Sequence, residues 1–232
     1  MTDPQSLIPK VTEYVHEYMS KFDASHDFDH IKRVVGLART IYLEIQTTNA
    51  PNQPNLDPDI ITLAALLHDV GDSKYVQDKK KARKMVFEKL RDFGADEELA
   101  TKIQTICNGV SYSTEIQDFD HITSLITQYS ELAVVQDADR LDSIGAIGIG
   151  RAFTFGGAKA KRGMQDTVHI FDKKLFLLEN LMKTESGKTM ARERTQLLRD
   201  FKESWEKEAH VEMVGLDVLK LSTDSPVEIS RE

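Results

Sequence analysis

The chain contains a single cysteine, Cys107, among its 232 residues, which excludes an intramolecular disulfide and any cysteine-rich zinc site. A lone cysteine of this kind reads as a small buried hydrophobe. Aromatic residues are sparse, 7% of the chain, and no apolar run reaches the ~18 residues that span a bilayer. The opening Met-Thr-Asp-Pro-Gln-Ser lacks the basic and apolar regions of a secretory signal, so a cytoplasmic protein is expected, nuclear access staying open. The net charge of −8 leaves no excess of basic residues for a broad nucleic-acid surface. A small anionic substrate stays compatible with it, because a bound dication and one or two lysines reverse the local field.

Hydrophobic residues make up 40% and charged residues 29%, at helical spacing nearly throughout. These features predict an all-α helical bundle, with one domain over residues 1–221 and a frayed tail over 222–232. Asp27 caps a helix whose stripe is Ile31, Val34, Val35, Ala38, Ile41, Tyr42 and Ile45. Turn formers fill residues 47–57, and Pro58 opens a buried helix. Further helices are predicted over 79–93, 96–108, 130–143, 168–182 and 188–210, the last two packing on the core, with a loop or short extended piece over 110–123. Gly145, Gly148 and Gly150 indicate close helix packing, since no strand precedes them as a phosphate-cradling loop would need. Residues 155–164 form a basic glycine-containing segment, either a surface connection or a lid over a polyanion.

The run from Asp59 to Val70 is almost wholly apolar until it closes on His68-Asp69. An imidazole and a carboxylate at the end of a core helix are costly unless something satisfies them. His30 and Asp137 stand in similar helical contexts. One divalent ion held by His30, His68, Asp69 and Asp137 would satisfy all four. Two nitrogens and two carboxylates suit Mn, Fe, Co, Ni or Zn rather than Ca. Four protein ligands on an ion that accepts six leave room for water and substrate.

The order His … His-Asp … Asp resembles the HD-domain metal-dependent phosphohydrolases. Within them it is similar to small HD hydrolases that include bacterial nucleotide pyrophosphohydrolases. The resemblance rests on Ser25-His-Asp-Phe-Asp-His-Ile-Lys-Arg-Val34, on Ala64-Ala-Leu-Leu-His-Asp-Val-Gly-Asp-Ser-Lys74, and on the block Val135 to Phe153 containing Gln-Asp-Ala-Asp-Arg-Leu-Asp. Leu181-Met-Lys-Thr-Glu185 completes it. It implies one metal rather than two, since only His121 lies between the His-Asp pair and Asp137. Manganese comes first, with Fe, Co, Ni, Zn or Mg as alternatives. It also implies that Asp72, three residues past Asp69, is the general base, and that Lys173 or Lys174 faces the substrate.

Three further substrate contacts are expected. Lys74 offers a point charge for phosphate. His26 lies within a turn of His30. Arg140, one turn beyond Asp137, reaches substrate or pairs with Asp139 or Asp142. His16, His121 and His210 are expected to be solvated or capping. The implied activity is hydrolysis of nucleoside triphosphates to monophosphate and pyrophosphate. The alternatives are a 5′-nucleotidase-like phosphomonoesterase and a non-catalytic, metal-stabilised ligand-binding protein. The expected partner is a small phosphorylated molecule, with neither stable nucleic acid nor membrane; a homo-oligomer is compatible.

Overall fold

The computed structural model describes residues 2–48, 54–72 and 78–220, with only the backbone of Lys79. Among the described residues there is no strand, as the all-α expectation requires. None of their helices is long and apolar enough to cross a membrane. The expected tail, 222–232, lies outside the described residues, as does Lys74.

A short 3-10 turn, Pro4–Leu7, leads into α1 (Ile8–Met19), α2 (Phe28–Thr47) and α3 (Pro58–Leu67). Asp27 caps α2 by accepting the His30 N–H at 3.0 Å. Asp57 accepts from the N–H groups of Asp59 and Ile60 at 2.8 and 3.2 Å, and Pro58 occupies the first turn of α3. Seven of the ten α3 residues are buried, because α1, α2, α6 (Glu97–Val110) and α9 (Glu131–Asp142) all pack on it. One hydrophobic cluster runs from Leu7 to Leu198 around this helix.

The helix expected over 79–93 is split by a turn into α4 (Lys79–Ala82) and α5 (Met85–Asp92). Gly94, at φ +96°, ends α5 in the left-handed conformation open to glycine. The stretch 110–123, expected as loop, is instead α7 (Tyr112–Gln117) and the start of α8 (Phe119–Gln128). Asp118 caps α8 through the His121 N–H at 3.1 Å, and Ile122 is buried beneath it. Capping and one buried anchor therefore outweigh a locally polar composition.

After α9 come α10 (Gly145–Ala158), α11 (Met164–Lys173), 3-10 turns at Leu175–Leu177 and Glu179–Leu181, then α12 (Glu185–Ala209) and α13 (Val211–Leu219). The expected helix 168–182 breaks at Lys174, whose φ/ψ of −142°/−54° leaves the helical region. The basic segment shrinks to residues 159–163, since α10 runs on to Ala158. The α9–α10 corner turns tightly: a Cβ on Gly148 would lie 2.3 Å from the Ser143 carbonyl oxygen. Gly148→Ala should therefore cost about 1–3 kcal/mol of folding stability. Urea denaturation measures it, and an unchanged midpoint would mean the corner is slack.

Candidate metal centre

His30 sits in the first turn of α2, His68 at the C-terminal end of α3, and Asp69 in the turn that follows. Their ligand atoms converge: Nε2 of His30 and Nε2 of His68 are 3.3 Å apart. Asp69 Oδ2 is 3.3 Å from His30 Nε2, and its Oδ1 is 3.5 Å from His68 Nε2. A fourth group faces both rings, Asp139 on α9, whose Oδ1 is 3.7 Å from each Nε2.

The partners behind the rings decide what those nitrogens can do. His68 Nδ1–H donates to the Ala65 carbonyl at 2.8 Å. His30 Nδ1–H donates to Asp142 Oδ2 at 2.7 Å. Arg33 holds Asp142 from one side through Nε at 2.6 Å, and Arg151 from another through Nη1 at 3.1 Å. Burial alone would raise the Asp142 carboxyl, yet the bonds from His30 and Arg33 hold it below its ordinary value. It is an ionised acceptor. With each Nδ1–H committed behind it, Nε2 of one ring faces Nε2 of the other, an approach that is repulsive unless a proton or a metal ion lies between them.

A divalent ion fits this arrangement. Ligands about 2.0–2.2 Å from one ion stand roughly 3.0–3.6 Å apart, close to the separations found. Asp69 Oδ2 is also buried without a hydrogen-bond partner among the described residues. The two imidazole side chains are 1% and 2% exposed, against 13% for Asp69 and 24% for Asp139, so the cluster opens to solvent along its carboxylate edge. Among the described residues, His30, His68 and Asp69 form the one His/Cys/Asp/Glu cluster of metal-binding geometry, with Asp139 facing its two rings.

Asp137 does not join it. Residues two apart on a helix point about 200° from each other, so Asp137 and Asp139 face opposite sides of α9. Asp137 accepts from the N–H groups of Lys183 and Thr184 and from the Thr184 hydroxyl, at 2.7–3.1 Å, at the start of α12. A Cβ on Gly187 would lie 2.4 Å from its Oδ2, so only glycine admits this approach. Burial raises the Asp137 carboxyl, and those donors offset only part of that. The expected fourth ligand is thus corrected from Asp137 to Asp139 as the group facing the imidazoles.

Arg140 is corrected too. It is 2% exposed, with its guanidinium bound to Glu115 and, at 2.7 Å, to the Leu181 carbonyl. Lys183 joins the same Glu115 at 2.6 Å, completing a buried ionic link between α7, α9 and the α12 approach. Lys174 places its ammonium 5.2 Å from the Tyr112 ring centre, and Lys173 is exposed at the end of α11. His26 does lie beside the cluster, its ring centre 6.0 Å from that of His30 and its Nδ1 2.9 Å from Ser25 Oγ. His16, His121 and His210 are exposed, and Cys107 is buried, as expected.

Asp72 follows in the turn beyond Asp69, its N–H reaching the Asp69 carbonyl at 3.2 Å. Tyr18, which no sequence pattern singled out, accepts the Gly71 N–H at 3.2 Å through its phenol oxygen. Burial, with the charges of Asp69 and Asp72, raises the Tyr18 phenol. Arg33 and Arg151 also escaped the sequence reading, and Asp139 and Asp142 entered it only as possible partners of Arg140. Their one signal was the Asp139/Asp142 spacing of three residues, which puts both on one face of α9.

Several known proteins resemble this chain. The HD-domain family model matches residues 27–144. The uncharacterized protein YpgQ of Bacillus subtilis is 30% identical over 203 residues, covering 86% of this chain and 92% of YpgQ. The crystal structure of YpgQ in complex with ADP superposes with a TM-score of 0.66 and 31% identity, over 88% of this chain and 96% of that one. An HD-superfamily hydrolase from Bacillus thuringiensis gives 0.64 and 30%, over 90% and 99%.

Two tests follow. Asp139→Ala should abolish tight metal binding, whereas Asp137→Ala should lower Tm by releasing the Thr184 cap of α12 from α9 and leave about one metal per chain; elemental analysis beside a thermal melt separates them. The reverse pattern would restore Asp137 as ligand. The second test concerns pH. Burial alone would lower the His68 pKa, but Asp69 and a bond to Asp139 lift it from 6.5 to about 9 in the metal-free protein. A raised folded-state pKa gives stability that is complete below 6.5 and lost as pH rises through 9. Metal must displace that proton, so affinity should rise with pH up to about 9, by at most about tenfold per unit, in calorimetric titrations. A flat profile between pH 6.5 and 9 would contradict this.

Proposed function

The chain belongs to the HD-domain family, and from that premise we propose that it is a metal-dependent hydrolase releasing pyrophosphate from nucleoside triphosphates. One observation carries the hydrolase reading: two Nε2 lone pairs 3.3 Å apart, edged by two carboxylates and open on the carboxylate side. His30, His68, Asp69 and Asp139 would hold the ion, with manganese the first candidate for this mixed donor set. When bound, it lowers the pKa of water and offsets charge developing on a phosphoryl oxygen.

The chain's own groups do the rest. Asp142 and the Ala65 carbonyl fix the imidazole tautomers, and Arg33 with Arg151 keeps Asp142 ionised and in place. Asp72 supplies the carboxylate that takes the proton of the attacking water. Tyr18, by holding the Gly71 N–H, keeps the turn that carries both Asp69 and Asp72. His26, beside His30, is placed to meet a substrate oxygen. YpgQ, whose structure holds ADP, supports a nucleotide as the substrate class.

The test is a panel of nucleoside mono-, di- and triphosphates with Mn, Co, Ni and Mg, with products read by phosphorus NMR. Triphosphates should give monophosphate and pyrophosphate. Asp72→Asn should keep the metal and lose about 10²-fold or more in kcat. Orthophosphate released only from monophosphates would replace this reading by a phosphomonoesterase. Full metal occupancy without any turnover would leave a ligand-binding protein.

A further inference from the structure

We infer that Arg162, laid on the ring of Phe155, forms an anion subsite for the substrate phosphates that lie beyond the metal centre. This rests on the nucleotide-hydrolase reading above and names where its polyphosphate is held. The α10–α11 connector folds back on the last turn of α10. The N–H groups of Lys159 and Ala160 reach the Phe155 carbonyl at 3.0 and 3.2 Å, and the Arg162 N–H reaches the Gly156 carbonyl at 2.9 Å. Lys161 adopts φ +48° to allow this, a left-handed conformation that non-glycine residues rarely take. The strain leaves the Arg162 guanidinium 5.9 Å from the Phe155 ring centre. Phe155 in turn lies 5.8 Å from the His26 ring, and His26 lies 6.0 Å from His30. An unbroken row of rings thus connects this cation to the metal cluster.

Arg162 differs from the arginines around the centre in what it binds. Arg33 and Arg151 are committed to Asp142, Arg140 to Glu115, and Arg194 to the Leu141 carbonyl. The Nε of Arg162, like that of Arg140, is buried and has no hydrogen-bond partner among the described residues, but Arg140 has its terminal nitrogens on Glu115 and the Leu181 carbonyl. A buried, charged donor without an acceptor is costly, and a phosphate oxygen removes that cost while matching the planar fork. The basic neighbours Lys159 and Lys161 add attraction for a polyanion at low salt. One phosphate at the metal has no use for this second cation; a di- or triphosphate does.

Calorimetry of the EDTA-treated protein with inorganic tripolyphosphate, against orthophosphate, tests the subsite without turnover. Arg162→Ala should weaken tripolyphosphate about tenfold or more, the loss of one charged hydrogen bond, and leave orthophosphate unchanged. Arg162→Lys, which keeps charge but lacks Nε and the stacking plane, should recover only part of the affinity. With the manganese-loaded protein, Arg162→Ala should raise KM for a triphosphate about tenfold and leave p-nitrophenyl phosphate hydrolysis unaltered. Unchanged tripolyphosphate affinity, or equal losses for both anions, overturns the subsite. Absence of nucleotide turnover alongside Arg162-dependent tripolyphosphate binding would overturn the hydrolase reading and uphold the subsite.

Discussion

Two imidazole nitrogens face each other at 3.3 Å, each with its ring N–H already given to a partner behind it, and most of the surrounding architecture keeps them so. Asp27 starts α2 so that His30 falls in its first turn. The apolar body of α3 carries His68 to the edge of the core, where the Ala65 carbonyl in the turn behind fixes its tautomer. Arg151 bonds both Asp142 and the Ser25 carbonyl, so the loop bearing His26 and the acceptor of His30 move together. Removing any of these holders leaves the lone pairs free to rotate away, which weakens a metal site without touching a ligand.

The opposite face of α9 secures the helix from behind. Asp137 ties it to Lys183 and the Thr184 cap of α12, and Arg140 ties it through Glu115 to α7 and Lys183. Glu115 is completely buried, so its two cationic partners are needed to offset its desolvation. Asp139 and Asp142 thereby project from a helix clamped on its other side. The precision of the site depends on polar contacts that never meet substrate.

The division of α9 also explains what could be read from the sequence. Helix content, the α2 cap, the Pro58 opening of α3 and the buried His-Asp end of α3 all followed from local periodicity and turn chemistry. The choice between Asp137 and Asp139 did not. The buried Asp137 carboxylate does need a partner, but that partner is a set of backbone N–H groups 46 and 47 residues away. No local pattern distinguishes those donors from a metal. Arg140 was misjudged for the same reason, since its acceptors lie on residues 25 and 41 positions distant. The helices at 112–128 were missed because their anchoring depends on one cap and one buried isoleucine amid polar residues.

Charge links these layers. The chain carries a net −8, and Asp69, Asp139 and Asp142 crowd the two imidazoles. Without metal, the proton that Asp69 and Asp139 hold on His68 up to a pH of about 9 supplies one positive charge at the centre. Exchanging that proton for a dication raises the local charge by one unit, and does so at the edge of the cluster that solvent can reach. An anion is thus favoured by the metal-bound state over the protonated one. By linkage the anion must tighten the metal by the same factor. The carboxylates that first look hostile to a phosphate are therefore what selects a cation able to receive it.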